Sequence, residues 1–146
     1  MVRVLIVNGP NLNLLGARRP DVYGHITLAE LDELCRQWGT ELGCEVTVFQ
    51  SNHEGALIDR IHAAVGRCDG IVINPGALTH YSYALHDAIE AVAIPTIEVH
   101  LSDITAREPW RATSVIAPAC RAAVSGQGAA GYRRAIELLT SAAAPS

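Results

Sequence analysis

The sequence predicts a single α/β domain built on a parallel, five-stranded sheet with helices on both faces. Five short apolar segments alternate with segments whose apolar residues recur at helical spacing, which is typical of sheets whose parallel strands are connected by helices. Its 146 residues suffice for one buried core. Hydrophobic residues make up 49% of the chain and charged residues 18%, as in folded globular proteins. We expect one domain over residues 1–146.

The first strand is predicted at Val2–Val7 and is followed by an unusually long loop. The strand is an apolar run rich in β-branched residues, as expected for burial on both faces. The stretch Asn8–Gly24 then separates it from the first helix, and loops longer than about twelve residues are usually functional or disordered. Leu12, Leu14 and Leu15 can anchor this loop to the body of the protein, so we expect it to be functional.

The rest of the chain continues the alternation. Thr27 and Glu30 have the spacing of a capping box at a helix start, and Gly43 ends that helix. Further strands are predicted at Cys44–Gln50, Asp69–Asn74, within Ile94–Ser102, and at Ala119–Ser125. Further helices are predicted from about Glu54 to Arg67, from about Ser82 to Ala93, and from about Ala129 onward.

Polar and ionisable residues collect where the first, third and fourth strands end. Ligands of such folds bind beyond the carboxyl ends of the strands, so these residues predict a site there. The amino ends carry little beyond Arg3, Glu45 and Asp69. The residues at the carboxyl edge are Asn8, Asn11, Arg18, Tyr23, Asn74, Thr79, His80, Glu98, His100, Ser102, Arg107 and Arg111.

Glu98 and His100 are two residues apart in the fourth strand. Side chains at this spacing point to the same face of a strand, so the carboxylate and the imidazole should lie side by side. A carboxylate next to a histidine favours the protonated ring and fixes its orientation, which prepares a general acid. From this stretch alone, a purely structural ion pair is an equal alternative.

Arg18 and Tyr23 lie in the long loop and could supply a base. A cationic arginine within about 4–6 Å of a tyrosine lowers the pKa of the phenol, and a phenolate can remove a proton next to a carbonyl group. With His100 protonating a leaving hydroxyl and Asn11 stabilising an enolate, these residues describe a β-elimination of water from a hydroxy-ketone. Without further context, an ordinary surface role for Tyr23 is favoured.

Charge and composition exclude several partners. The net charge of −4 gives no reason to expect nucleic acid or an anionic membrane surface as a partner. No apolar run approaches the roughly 20 residues of a membrane span. The four cysteines lack CxxC spacing, so we expect reduced thiols in a cytoplasmic protein.

Sequence motifs for two other kinds of chemistry are either absent or in the wrong place. There is no GxSxG motif, and no cysteine lies beside a histidine in sequence, so an acyl-transfer nucleophile is unsupported. Gly126–Gly131 reads GxGxxG, but it follows the last strand and has no acidic residue about 20 positions later. It is interpreted as the turn into the last helix rather than a dinucleotide site.

Several segments, in order and with matching spacing, resemble type II 3-dehydroquinate dehydratases. They are Asn8–Gly16 with Arg18 and Val22–Gly24, then Gln50–Ile58, Ile73–His80, and Ile97–Ser102 with Ala106–Glu108. The likeness implies a flavodoxin-like, doubly wound fold and conversion of 3-dehydroquinate to 3-dehydroshikimate and water through an enolate. It also implies no metal or organic cofactor, and a homododecamer of four trimers. The same reaction serves aromatic biosynthesis and quinate breakdown. Independently, the absence of lysine excludes a lysine imine.

The resemblance implies a role for each matching catalytic residue. Tyr23 would be the base, and Arg18 would lower its pKa and stabilise the transition state. Asn11 would help to hold the enolate. His100 would protonate the leaving hydroxyl while paired with Glu98.

The resemblance also implies a set of substrate-binding residues. Leu101 and Ser102 would hold the substrate carboxylate through backbone N–H groups and a hydroxyl. His80 and Arg111 would hold the ring hydroxyls. The remaining matches are Asn74 near the carboxylate, Asp87 from a neighbouring subunit, and Arg107 after the fourth strand.

Some positions depart from the usual residues of this family. They lie in the long loop and in the segment after the fourth strand, so we expect effects on loop closure, subunit packing and substrate affinity rather than on the chemistry. They are Arg19 for Glu, Asp103 for Asn, Thr105 for His, Pro109-Trp110 for Glu-Phe, and Ala112, Thr113 and Val115 for bulkier residues.

Two rival hypotheses belong to other classes. A metal hydrolase would use His80, Glu98 and His100 as ligands. A binding protein on the same scaffold would bind anions without turnover.

Overall fold

The five predicted strands form one parallel sheet. The computed structural model describes residues 1–17 and 19–143, without the side chains of residues 22, 23, 142 and 143. Its strands run in the order β2-β1-β3-β4-β5, and every neighbouring pair is parallel. This is the flavodoxin-like order, so the predicted fold class is confirmed. The strands are β1 (Val2–Asn8), β2 (Cys44–Gln50), β3 (Gly70–Asn74), β4 (Thr96–His100) and β5 (Ala122–Ser125).

Helices cover both faces of this sheet. They are α1 (Pro20–Tyr23), α2 (Leu28–Glu41), α3 (Glu54–His62), α4 (Tyr83–Val92) and α5 (Ala130–Ala143). One core lies between the sheet and helices α2 and α5, and the other lies between the sheet and helices α3 and α4. Val4 and Ile6 of β1 enter the first core, whereas Leu5 and Val7 enter the second. This double burial explains why β1 is apolar throughout.

Local signals set the start of α2, as predicted. The Thr27 hydroxyl accepts from the backbone N–H of Glu30, and the Glu30 carboxylate accepts from the backbone N–H of Thr27. These reciprocal bonds form the capping box and satisfy two N–H groups that would otherwise lack partners.

The predicted end of helix α3 and the predicted start of strand β5 are wrong. Helix α3 ends at His62 rather than Arg67, because the N–H groups of Ala64, Val65 and Arg67 bond carbonyls three residues back instead of four. That change buries Ala64 and leaves Val65 58% exposed. Strand β5 begins at Ala122 rather than Ala119, because Ala117–Ala119 forms a 3₁₀ turn that contains a proline.

Successive side chains of β4 point to opposite faces of the sheet, so its polar residues lie on one face. Ile97 and Val99 enter the core beside α2 and α5, so Glu98 and His100 point to the other face. Within the described ranges, no helix combines the length and the apolar character needed to cross a membrane.

Candidate active site

A cleft opens at the carboxyl edge of the sheet. The structure brings eight of the predicted site residues to its wall: Asn11, Asn74, His80, His100, Leu101, Ser102, Arg107 and Arg111. Leu12, Leu15, Gly76, Ala77 and Ile104 complete the lining. Glu98 lies below His100 and is only 1% exposed. Arg18 and the side chain of Tyr23 lie outside the described residues.

Glu98 and His100 form a buried pair, as their spacing predicts. Nε2 of His100 lies 2.5 Å from Oε2 of Glu98. A carboxylate only accepts hydrogen bonds, so Nε2 carries the proton and Nδ1 is the ring nitrogen that remains for a ligand. His100 is 7% exposed and lines the cleft, whereas Glu98 does not.

Two hydroxyl groups support the same carboxylate. Thr79 Oγ1 donates to Oε2 of Glu98, and Ser114 Oγ lies 2.9 Å from Oε1. Burial alone would raise the pKa of Glu98, but the hydrogen bonds from His100, Thr79 and Ser114 outweigh it and lower this pKa below its ordinary value. From the sequence, Thr79 is expected at this edge of the sheet but has no assigned role, and no sequence signal points to Ser114.

The turns after β1 and β3 pack directly against each other. The N–H of Gly9 donates to the Asn74 carbonyl at 2.8 Å. A Cβ on Gly9 would lie 2.6 Å from the Pro75 carbonyl oxygen, so only glycine fits there. On the other side, a Cβ on Gly76 would lie 3.0 Å from the Pro10 carbonyl oxygen. This close contact fixes the floor of the cleft.

The loop segment with Asn11 is held by the end of β2. The backbone N–H of Asn11 donates to Oδ1 of Asn52 at 2.9 Å. Gln50 Nε2 donates to the same Oδ1 and to the Gly9 carbonyl, each at 3.1 Å. Asn11 itself has a φ of 71°, in the left-handed region that asparagine tolerates better than most residues. The backbone near Asn11 is therefore fixed before any ligand binds.

A fully buried tyrosine joins the ends of β1 and β3 below the cleft. The backbone N–H of Gly76 donates to Oδ1 of Asn74, and Nδ2 of Asn74 donates to the Tyr132 hydroxyl at 3.0 Å. That hydroxyl donates to Oδ1 of Asn8 at 2.7 Å. This chain of bonds orients the Asn74 amide, and the second N–H of its Nδ2 remains for a ligand. No sequence signal assigned Tyr132 to this site.

Arg107, Arg111 and His80 form another part of the wall, and Trp110 packs against two of them. The Arg111 guanidinium lies 4.0 Å from the centre of the Trp110 ring, and its Nε lies 2.5 Å from Oε2 of Glu108. The His80 ring packs edge-on against Trp110, with ring centres 5.1 Å apart. Arg107 and Arg111 have largely buried side chains and share Glu108 as an ion-pair partner, so two positive charges meet one negative charge beside the cleft.

The end of the long loop borders the cleft through its backbone. Gly24, which directly follows Tyr23, lines an adjoining cleft together with Leu101, Ser102 and Arg107. Arg19 and, more weakly, Arg107 lower the pKa of Asp21, so α1 lies within electrostatic reach of the site.

Asp87 does not line the cleft of its own chain. It lies on α4, where its side chain is exposed. The resemblance assigns it to a neighbouring subunit's site, and its position outside this cleft is compatible with that assignment.

The metal-hydrolase hypothesis requires His80, Glu98 and His100 as a ligand set. Among residues 1–17 and 19–143, no group of three or more His, Cys, Asp or Glu side chains has an arrangement that could hold a metal ion. Glu98 instead directs its carboxylate to hydroxyl and imidazole donors.

Known proteins match the chain over nearly its whole length. A family model described as "Dehydroquinase class II" matches residues 2–140. The chain belongs to the class II dehydroquinase family. The 3-dehydroquinate dehydratase of Anoxybacillus flavithermus is 56% identical over 93% of this chain and 92% of its own length. Catabolic 3-dehydroquinase 1 of Neosartorya fischeri is 52% identical over 92% of this chain and 89% of its own length.

A solved structure supports the same assignment. The crystal structure of the type II dehydroquinase from Butyrivibrio crossotus matches with a TM-score of 0.93 at 46% identity, covering 94% of this chain and 97% of the other. The family resemblance predicted from the sequence motifs is therefore confirmed.

Several departures from the usual class II dehydroquinase residues have a local explanation. Asp103 and Thr105 depart together and bond each other, since Oδ1 of Asp103 accepts from the Thr105 N–H at 2.9 Å and from its hydroxyl at 2.6 Å. Thr113 and Val115 contact the site through backbone atoms: the Thr113 carbonyl bonds His80, and the Val115 N–H bonds the Thr79 carbonyl. Such backbone contacts do not depend on which side chain is present.

Proposed function

We propose that this chain is a hydro-lyase that converts 3-dehydroquinate to 3-dehydroshikimate and water. The observation that carries the proposal is the buried Glu98–His100 pair, held at the wall of a cleft in a class II dehydroquinase. The pair offers Nδ1 of His100 as the proton donor while Glu98 holds the opposite nitrogen. A general acid fixed in this way contributes about 10²–10⁴-fold in rate.

The first step removes a proton next to the ketone. Tyr23, as its phenolate, takes this proton, and the electrons of the C–H bond form an enolate. Arg18 favours the phenolate by its positive charge. Asn11 stabilises the enolate oxygen as a hydrogen-bond donor. These roles rest on the family resemblance and on general acid–base chemistry.

The second step expels water. The enolate electrons return to form the conjugated C=C bond, the C–O bond to the hydroxyl breaks, and the imidazolium of His100 gives its Nδ1 proton to the departing oxygen. The neutral ring keeps its proton on Nε2, where Glu98 still accepts it. Glu98 therefore stays ionised throughout and acts by orientation and charge.

The charge of the cleft suits a carboxylate substrate. Arg107 and Arg111 line it, and Leu101 and Ser102 lie where β4 ends. We propose that backbone N–H groups and the Ser102 hydroxyl hold the substrate carboxylate, with Asn74 beside it. His80 and Arg111 bind the ring hydroxyls, and Arg107 adds positive charge.

We also propose that the active form is a homododecamer of four trimers, in which Asp87 completes the site of a neighbouring copy. Exposed aromatic side chains near α4 support an interface there: Tyr81 and Tyr83 are 62% and 69% exposed. Native mass spectrometry measures the assembly directly. A monomeric enzyme with full activity contradicts this proposal.

Ultraviolet absorbance tests the activity. Adding 3-dehydroquinate should give a steady rise in absorbance, because the product is a conjugated enone. The Tyr23→Phe variant should lose most of this rate while still binding the substrate. A wild-type protein that binds 3-dehydroquinate without any rise would instead be the silent binding protein, and loss of the rate on chelation would favour the metal hydrolase.

A further inference from the structure

Glu98 has two hydroxyl partners that lie away from the cleft. Thr79 is fully buried and donates to Oε2, and Ser114 Oγ lies 2.9 and 3.0 Å from the two carboxylate oxygens and 2.8 Å from Thr79 Oγ1. Neither residue lines the cleft, whereas His100 does. Glu98 is the hydrogen-bonded link between these hydroxyls and His100.

The hydrogen bonds of this cluster favour one charge state. Each hydroxyl has one hydrogen to donate. Ser114 Oγ accepts from the backbone N–H groups of Ile116 at 3.2 Å and Ala117 at 3.0 Å, so its single hydrogen goes either to Glu98 or to the neighbouring Thr79 Oγ1 at 2.8 Å. Thr79 and Nε2 of His100 donate to the carboxyl group, and the Ser114 hydroxyl lies within hydrogen-bond distance of both carboxylate oxygens and of Thr79. A protonated carboxyl would bring a further hydrogen into this set of donors, so the arrangement suits a carboxylate.

The two hydroxyls also connect the carboxylate to the substrate-binding segments. Thr79 belongs to the 3₁₀ segment Gly76–His80, which includes His80. Ser114 follows the segment Pro109–Ala112, which includes Arg111. The Val115 N–H bonds the Thr79 carbonyl at 2.7 Å and ties these two segments together.

We propose that Thr79 and Ser114 are positioning residues for proton donation, whose hydroxyls keep Glu98 ionised and hold its Oε2 against Nε2 of His100. This rests on the proposed function, in which His100 protonates the leaving hydroxyl. Removing either hydroxyl weakens the carboxylate form of Glu98, so acid inactivates the enzyme at a higher pH. Substrate binding is changed much less, because neither hydroxyl touches the cleft.

The first test is the pH profile of turnover. In Thr79→Val and Ser114→Ala, the acid limb of the kcat profile should move up by about one pH unit. Losing one hydrogen bond to a charged group changes the pKa of that group by about one unit. KM should stay within about twofold of the wild-type value, because the lost group is outside the substrate space. Thr79→Ser, which keeps the hydroxyl, should restore the wild-type profile.

A matched control comes from the same strand as Glu98. Thr96 is buried, and its hydroxyl bonds the Ile94 carbonyl at 2.9 Å. Thr96→Val therefore removes a buried hydroxyl with a backbone partner, at the opposite end of β4 from His100. Its acid limb should stay at the wild-type position even if its stability falls.

A second measurement needs no substrate. The side-chain carboxyl signal of Glu98 can be followed by ¹³C NMR in the free protein, with Glu98→Gln to assign it. Its titration midpoint should rise in Thr79→Val and Ser114→Ala, stay unchanged in Thr96→Val, and return in Thr79→Ser.

The outcomes separate this proposal from the proposed function. Unchanged titration of Glu98 in both hydroxyl variants overturns the proposal, as does a Thr79→Ser variant that behaves like Thr79→Val. If the wild-type protein shows no turnover but the Glu98 midpoint still rises in Thr79→Val and Ser114→Ala, the dehydratase activity is refuted and the effect of the hydroxyls on Glu98 stands.

Discussion

Two ion pairs lie at opposite edges of the same sheet and differ mainly in burial. At the carboxyl edge, His100 and Glu98 have side chains that are 9% and 1% exposed. At the amino edge, Arg3 pairs with Asp69 at 3.4 Å, with side chains 46% and 41% exposed. The pKa of each carboxyl group is lowered: that of Asp69 chiefly by the backbone N–H of Arg3, and that of Glu98 by donors that outweigh its burial.

The difference shows what an ion pair needs when water is excluded. Water solvates the exposed pair and screens it, so its net contribution to stability is small. A buried carboxylate loses that solvation and must recover it from fixed donors. Glu98 obtains such donors from Thr79, Ser114 and His100, which come from three separate segments. The carboxyl edge is therefore built around a costly charge, and the amino edge is not.

The largest expected effect is a loss of catalysis, and it concerns the carboxyl edge alone. His100→Ala should lower kcat by about 10²–10⁴-fold, because the leaving hydroxyl loses its proton donor. KM should change much less. The control is His62→Ala, which removes an exposed histidine of α3 and should leave both constants unchanged. A His100→Ala enzyme that keeps more than about a tenth of the wild-type kcat contradicts the assigned role.

The next effect is on stability and its pH dependence. Glu98→Gln removes the charge and replaces one accepting oxygen with an NH₂ group that faces the donors Thr79, Ser114 and His100, so it should cost about 3 kcal/mol near neutral pH, measured by urea denaturation. The pKa of Glu98 is lower in the folded protein than its ordinary value of 4.5. Its contribution is therefore complete above about pH 4.5 and is lost as the pH falls through the folded-state pKa. Wild type should lose more stability than Glu98→Gln over this acidic window, and equal losses would show that the charge of Glu98 does not matter.

A smaller effect tests the support beneath Asn74. Tyr132→Phe leaves Nδ2 of Asn74 and Oδ1 of Asn8 without the hydroxyl partner, and it should cost about 2 kcal/mol. Asn8 already has one buried amide nitrogen without a partner among the described residues, so local repair is difficult. KM should rise severalfold while the pH profile of kcat stays in place, because Tyr132 does not contact Glu98. A displaced acid limb would instead mean that the two networks are coupled.

The smallest effect belongs to the amino edge. Arg3→Ala should change stability by less than about 1 kcal/mol, because the pair is exposed and screened. Activity should be unchanged, and the effect should shrink further in high salt. A loss of stability as large as that of Glu98→Gln would show that the exposed pair and the buried pair do not differ in their contribution.

The predictable parts of the site depend on residues close in sequence. Glu98 and His100 meet because a strand repeats every two residues, and the ends of β1, β3 and β4 meet because parallel strands share an edge. The exact ends of α3 and β5 were not predictable, since a few hydrogen bonds decide between a helix, a 3₁₀ turn and a strand there.

The sequence by itself determined the order of strands and helices, the apolar residues that bury both faces of the sheet, and the spacing that pairs Glu98 with His100. Only the tertiary structure decided that Thr79 and Ser114 supply donors to Glu98 and that Tyr132 joins Asn8 to Asn74. Tyr132 and Asn8 are 124 residues apart, and no local periodicity connects them. Local preferences select the elements, whereas the need to satisfy buried polar groups selects partners from anywhere in the chain.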